Sequence, residues 1–163
     1  MQFRPQTLRL ALAPALLAAL AACGGGAADA SADELIQAGK FDEAVALIEK
    51  QRETVEKGSE AEKELVLLTV DATADEQPEL AKKAFLEFAE AAPDAVSAKD
   101  FEYAVSQLRT YRKYVEAIEV MDKGMKRWPE DPVMTELLSF LQADAEKDDG
   151  AAAALKGLGY TSK

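Results

Sequence analysis

The sequence predicts an all-α domain of helix hairpins, about three pairs followed by a terminal capping helix, and three observations lead there. Beyond Ser31 the chain is rich in Ala, Glu, Leu and Lys, with an apolar period near 3.6. Its prolines there fall between the periodic segments rather than inside them. A small residue followed four positions later by a bulky one returns after 37 and then 36 residues, as Ala44 with Ile48, Ala81 with Phe85 and Ala117 with Met121.

The first stretch is not part of that domain. Met1 to Leu10 carries Arg4 and Arg9 and no acid, and leads into Leu10 to Leu20, built of Ala, Leu and one Pro. Residues 1–22 therefore read as a signal peptide. The apolar run stops at Gly24, Gly25 and Gly26, short of the roughly 20 residues a membrane span needs. Leu20-Ala21-Ala22-Cys23-Gly24 resembles a bacterial lipobox, in which the cysteine thiol takes a diacylglycerol before cleavage in front of it. Cys23 is the only cysteine in the chain, so no intramolecular disulfide is open to it. By the same resemblance the absence of aspartate after the cysteine, where Gly24 stands, implies the outer membrane of a bacterium with two membranes. Residues 23–30 read as the lipidated cysteine and a flexible tether with a reach of roughly 25 Å. Cleavage leaves 141 of the 163 residues and takes the net charge from −11 to −13, because Arg4 and Arg9 depart.

Residues 31–157 form the expected helical domain and 158–163 a tail. Phe41, Ala44, Val45, Ile48, Arg52 and Val55 lay one mostly apolar stripe along a helix. Ala81, Ala84, Phe85, Phe88 and Ala92 make a second, and Tyr114, Ala117, Ile118, Met121 and Met125 a third. The second and third are each preceded by a partner: Leu65, Leu68 and Ala72 before the second, Phe101, Ala104, Val105 and Leu108 before the third. The run Leu65 to Val70 also suits a buried strand, but its acidic helix-forming flanks favour a helix. A further first helix is expected over Val133 to Leu141, and a short last helix from Asp149 to Leu155, closed by Gly157, covers the end.

These units resemble tetratricopeptide repeats from about Ser31 to Ala145. Gly39-Lys40-Phe41-Asp42-Glu43-Ala44 and Lys113-Tyr114-Val115-Glu116-Ala117-Ile118 match the turn and start of that repeat's second helix, and Pro93 and Pro129 stand where the family closes a repeat. Gly124 takes the second small position, whereas Phe88 is large where the family is small. The resemblance implies a concave groove lined by the first helix of each pair. The positions matching its groove-facing ones are Lys63, Val66, Val70, Lys99, Glu102, Ser106, Arg109 and Leu138. Val66 and Val70 fit a binding role and helix packing equally well. In the binding role they supply apolar contact, while Lys99 and Arg109 select an acidic partner. The family's clamp for a C-terminal carboxylate relies on asparagines, and this chain has none.

Composition narrows the chemistry further. The chain has no histidine, which removes histidine-dependent triads and histidine-ligated metals. Asp144, Glu146 and Asp148 alternate like the start of a calcium loop, but Asp149 and Leu155 stand where that loop needs glycine and a bidentate glutamate. Glu60, Glu62 and Glu64, and Asp75 with Glu76, read as solvated helix-start acids, not acid–base pairs. An acidic chain repels nucleic acid and anionic headgroups. No catalytic residue, metal or cofactor is expected. The expected function is a membrane-tethered adaptor or scaffold of the cell envelope, facing the periplasm and holding a peptide segment of a partner protein. An accessory lipoprotein binding a cell-wall fragment or small ligand, or a purely structural spacer, is the alternative. An enclosed pocket rather than an open groove would favour the ligand-binding form.

Overall fold

The computed structural model describes residues 30–160, so the expected signal peptide, Cys23 and nearly all of the tether lie outside the described residues, as do positions 161–163. The described residues are all-helical, with no strand among them. They form α1 (Ala32–Gln37), α2 (Phe41–Arg52), α3 (Glu60–Thr73), α4 (Pro78–Ala91), a 3-10 turn (Pro93–Ala95), α5 (Ala98–Thr110), α6 (Tyr114–Arg127), α7 (Pro132–Ala145) and α8 (Asp149–Leu158). The run Leu65 to Val70 lies inside α3.

Local chemistry accounts for where the helices start and stop. Ser31 and Glu34 form a capping box at α1, and the side chains of Ser59, Asp131 and Asp148 accept the first amides of α3, α7 and α8. Three turns close the same way: the amide of Lys40 donates to the Leu35 carbonyl, Lys113 to Leu108 and Tyr160 to Leu155. The residue before each of these amides is left-handed: Gly39 at φ 72°, Arg112 at φ 59° and Gly159 at φ 87°. Glycine adopts that conformation without a Cβ penalty, and arginine does not. Arg112→Gly should therefore raise the stability of the domain by about 1 kcal/mol in urea denaturation; an unchanged or lower midpoint would contradict this account of the turn.

Consecutive helices pair as α1 with α2, α3 with α4, α5 with α6 and α7 with α8. Along the molecule α1 meets α3, α3 meets α5 and α5 meets α7, while α4 meets α6 and α6 meets α8. Ala44, Ala81 and Ala117 expose no surface, and Ile48, Phe85 and Met121 are buried beside them. The small residue lets its helix come close to a neighbour, and the bulky one a turn later fills the space beyond. The terminal helix differs from expectation. Ala151 and Leu155 stand 34 residues after Ala117 and Met121 and are buried like them, so α7 and α8 make a fourth pair. This last helix also runs past Gly157 to Leu158 and ends at Gly159. Tyr160 then returns to the fold: its hydroxyl donates to Asp122 Oδ1 at 3.0 Å, and Gln142 donates to its carbonyl at 3.2 Å. Burial and the Asp122 carboxylate push that phenol up to about 12.

The main core runs from α3 to α8, and a smaller cluster of Leu35, Ala44 and Ala72 holds the first pair. At its centre Phe101 meets Phe85 edge-on at 4.8 Å and Trp128 edge-on at 5.5 Å, tying α4, α5 and the end of α6 together. Gly124 is needed beside them, since a Cβ there would lie 2.5 Å from Met134 Sδ and 3.0 Å from the Phe101 ring.

One register differs from the expected alignment. Residues 101, 104, 105 and 108 of α5 are buried, and their counterparts in α3 are Val66, Thr69, Val70 and Thr73, 35 residues earlier. The second helices α4 and α6 are related by 36 residues. From the buried face of one helix to that of the next, Val66 to Ala81 spans 15 residues and Phe101 to Ala117 spans 16, so the α3–α4 unit is one residue shorter in register than the α5–α6 unit. A one-residue slip turns a helix by about 100°. It brings Val66 and Val70 into the core in place of Leu65 and Leu68, and turns Leu67 and Asp71 toward the positions expected for them.

Candidate functional site

The outward face of the first helices is where a groove was expected, and helical periodicity sets its residues. On α5, Glu102 is exposed and Ser106 and Arg109 are half-exposed, while 101, 104, 105 and 108 point into the core. On α7, Glu136, Ser139 and Phe140 are exposed, while Met134, Leu137 and Leu141 are buried. Leu138, expected on this face, packs partly buried against the core instead.

Of the groove positions, Lys63, Val66, Val70, Lys99 and Arg109 were the expected partner-binding residues, and two of these five are not available to a partner. Val66 and Val70 each expose 0% of their surface, because the register of α3 aims them at α5 and the core. Two others are engaged within the chain. Lys63 Nζ lies 2.8 Å from Glu60 and 3.8 Å from Asp100, linking α3 to α5, and the Glu60 carboxylate holds its pKa above the ordinary lysine value. Arg109 Nε donates to Asp144 Oδ2 at 2.7 Å, linking α5 to α7, and its guanidinium lies 5.1 Å from the centre of the Phe140 ring. Lys99 is exposed and makes no ion pair among the described residues. It borders an open cleft of about 540 Å³ with Ser97, Trp128 and Val133. The pairing of Lys63 and Arg109 removes them as ready receptors for an acidic partner.

The structure adds residues to this face that periodicity alone did not single out. The Tyr103 hydroxyl donates to Asp71 Oδ2 at 2.6 Å, from α5 to α3. Burial and the carboxylate raise the pKa of that phenol, so it stays a donor at any physiological pH. Asp71 Oδ1 is buried and has no hydrogen-bond partner among the described residues. Burial also raises the Asp71 pKa, with the charge of Asp33 adding to it and the Tyr103 hydrogen bond opposing it. Tyr103 and Phe140 keep 36% and 44% of their surface exposed, so two aromatic rings lie open on neighbouring helices. The available signal was that both fall outside the apolar stripes of their helices.

The buried acids are built for structure. Glu62, expected on a solvated helix start, is buried. It accepts from the Gly58 amide at 2.7 Å, from Lys57 at 3.0 Å and from Arg52 at 3.3 Å, which joins the end of α2 to α3. Burial alone would raise its pKa, but these donors outweigh it and leave the pKa below the ordinary carboxylate value of 4.5. A carboxyl whose folded pKa is lowered stabilises the fold above its ordinary value and loses that contribution as pH falls through the folded one. Thermal midpoints of the parent chain should thus drop below pH 4.5 more steeply than those of Glu62→Gln, and parallel profiles would count against this role. Asp122 is likewise engaged, by Lys126 at 2.6 Å and by Tyr160. Asp144 and Asp148, from the discarded calcium pattern, hold Arg109 and cap α8.

Compared with known proteins, the chain matches no family model, no curated protein and no solved structure.

Proposed function

We propose that the chain is an outer-membrane lipoprotein, lipidated at Cys23, whose tetratricopeptide-like stack of helix pairs is an adaptor that holds a peptide segment of an envelope protein. The observation that carries the reading is the pair of open aromatic rings, Tyr103 and Phe140, on successive first helices. A hydrogen bond to Asp71 orients one, and the Arg109 guanidinium lies over the other. Oriented aromatic side chains lose little entropy on binding and recur as the anchors of protein interfaces. The recurrence of buried Ala44, Ala81, Ala117 and Ala151 supports the stacked-pair architecture. The largest clefts described are open and bordered by charged side chains, which suits a peptide better than an enclosed small ligand.

The reading is tested by placing a photo-crosslinking amino acid at position 140 in the native envelope, and another at Glu49 on α2 as a control. Discrete adducts should form from position 140, fade when Tyr103 is changed to Ala, and be absent from position 49. Adducts of the same kind from both positions, or none from position 140, would remove the adaptor reading.

A further inference from the structure

Resting on the same docking face, we infer that the segment it holds is basic and apolar, with lysine or arginine side chains set beside aliphatic ones. The charge balance of the face carries this. Its cations are largely matched by carboxylates of the chain itself: Lys63 by Glu60 and Asp100, Arg109 by Asp144, and Lys113 by Asp75 at 3.5 Å. With those pairs set aside, the first helices retain Asp33, Glu34, Glu64, Asp71, Glu102 and Glu136 with no cation within ion-pair distance among the described residues, against Lys99 alone. Each of the three longer first helices pairs an unmatched acid with apolar surface. Glu64 and Asp71 flank Leu67 along α3, Glu102 adjoins Tyr103 on α5, and Glu136 stands one turn before Phe140 on α7.

Asp71 makes the preference local. Its Oδ2 receives the Tyr103 hydroxyl, and among the described residues no cation lies within ion-pair distance of its carboxylate, so the negative charge at this edge of the face is left unbalanced. An ammonium or guanidinium docked beside that carboxylate gains from its charge and from the exposed Tyr103 ring. A partner carboxylate there would meet a like charge at Asp71 and again at Glu102 and Glu136. The chain's net charge of −11 steers basic partners toward it and keeps nucleic acid and anionic lipid away.

The test titrates the purified full chain with fluorescent synthetic peptides of equal length that alternate leucine with lysine, with glutamate or with serine, and reads fluorescence anisotropy at low and high salt. The lysine peptide should bind tightest and weaken with salt. Glu102→Lys with Glu136→Lys should weaken it by about tenfold or more. Glu49→Lys with Glu87→Lys, the same charge change on second helices, should leave it nearly unchanged. Asp71→Asn, which keeps the shape and removes the charge, should also weaken it, and circular dichroism establishes that each variant is folded. If the glutamate peptide binds tightest and loses affinity on Phe140→Ala, the basic partner is overturned and the docking face stands. If the lysine peptide is indifferent to Phe140→Ala, or weakened equally by both double variants, the docking face falls with it.

Discussion

Val70→Asp is expected to leave the chain without a cooperatively folded domain. Val70 exposes none of its surface and belongs to the main core cluster. Aspartate there would lose apolar contacts and bury a carboxylate in the main apolar core, and the hydroxyls of Thr69 and Thr73 on the same helix already donate to carbonyls of that helix. An unpaired charge in such a site costs several kcal/mol. Domains of this size have about 5–15 kcal/mol in total. Val70→Ala, which opens a small cavity without adding charge, should cost about 1–3 kcal/mol and still melt cooperatively. Leu67→Asp, on the half-exposed side of the same helix, should be tolerated far better than Val70→Asp. Urea denaturation followed by circular dichroism separates the three. A Val70→Asp chain that unfolds cooperatively within about 1 kcal/mol of the parent would mean that α3 is rotated toward the groove register.

That helix shows where sequence reasoning reached its limit. The second helices were legible because each is amphipathic and carries a small residue at a fixed place: a buried alanine tolerates no larger side chain at a close helix contact, so its spacing marks the packing directly. In α3 the run Leu65-Val66-Leu67-Leu68 is apolar all round, so no single stripe distinguishes its buried face. Its rotation could be inferred only from the spacing of neighbouring helices, and the α3–α4 unit, one residue shorter in register than the α5–α6 unit, breaks that inference. The last pair was obscured for a related reason, since Ala151 to Ala154 offers four equivalent candidates for the one buried position. Lys63 has a partner one turn away in Glu60, but the cross-helix partners of the groove cations lie far along the chain. Asp100 is 37 residues from Lys63 and Asp144 is 35 from Arg109, and only the stacking of first helices brings them together. Tyr103 and Phe140 could have been flagged as aromatic residues off the core stripe. The orphan oxygen of Asp71 could not, because burial of a single atom is a property of the assembled fold.

Cys23→Ser is expected to move the chain out of the membrane fraction, or to leave it uncleaved with its leader in place. The serine hydroxyl is a far weaker nucleophile than a thiolate at neutral pH, so it does not take the diacylglycerol on which cleavage at a lipobox depends. Nothing else described in the chain supplies a comparable anchor. Among the described residues no helix is long and apolar enough to cross a membrane. The net charge of −11 also opposes attraction to anionic headgroups. Acyl chains contribute about 0.8 kcal/mol per buried methylene, and a single chain anchors only marginally, so two or more are what hold a protein durably at a bilayer. Fractionation of the envelope after a high-salt wash, alongside incorporation of labelled palmitate, reads both halves of the expectation. The parent should carry label and stay with the outer membrane, while Cys23→Ser should carry none. A variant that is processed like the parent and remains in the outer-membrane fraction would place the anchor elsewhere. The adaptor would then depend on its partner for position, and disrupting the Tyr103 and Phe140 face should release the Cys23→Ser chain although it leaves the parent in place.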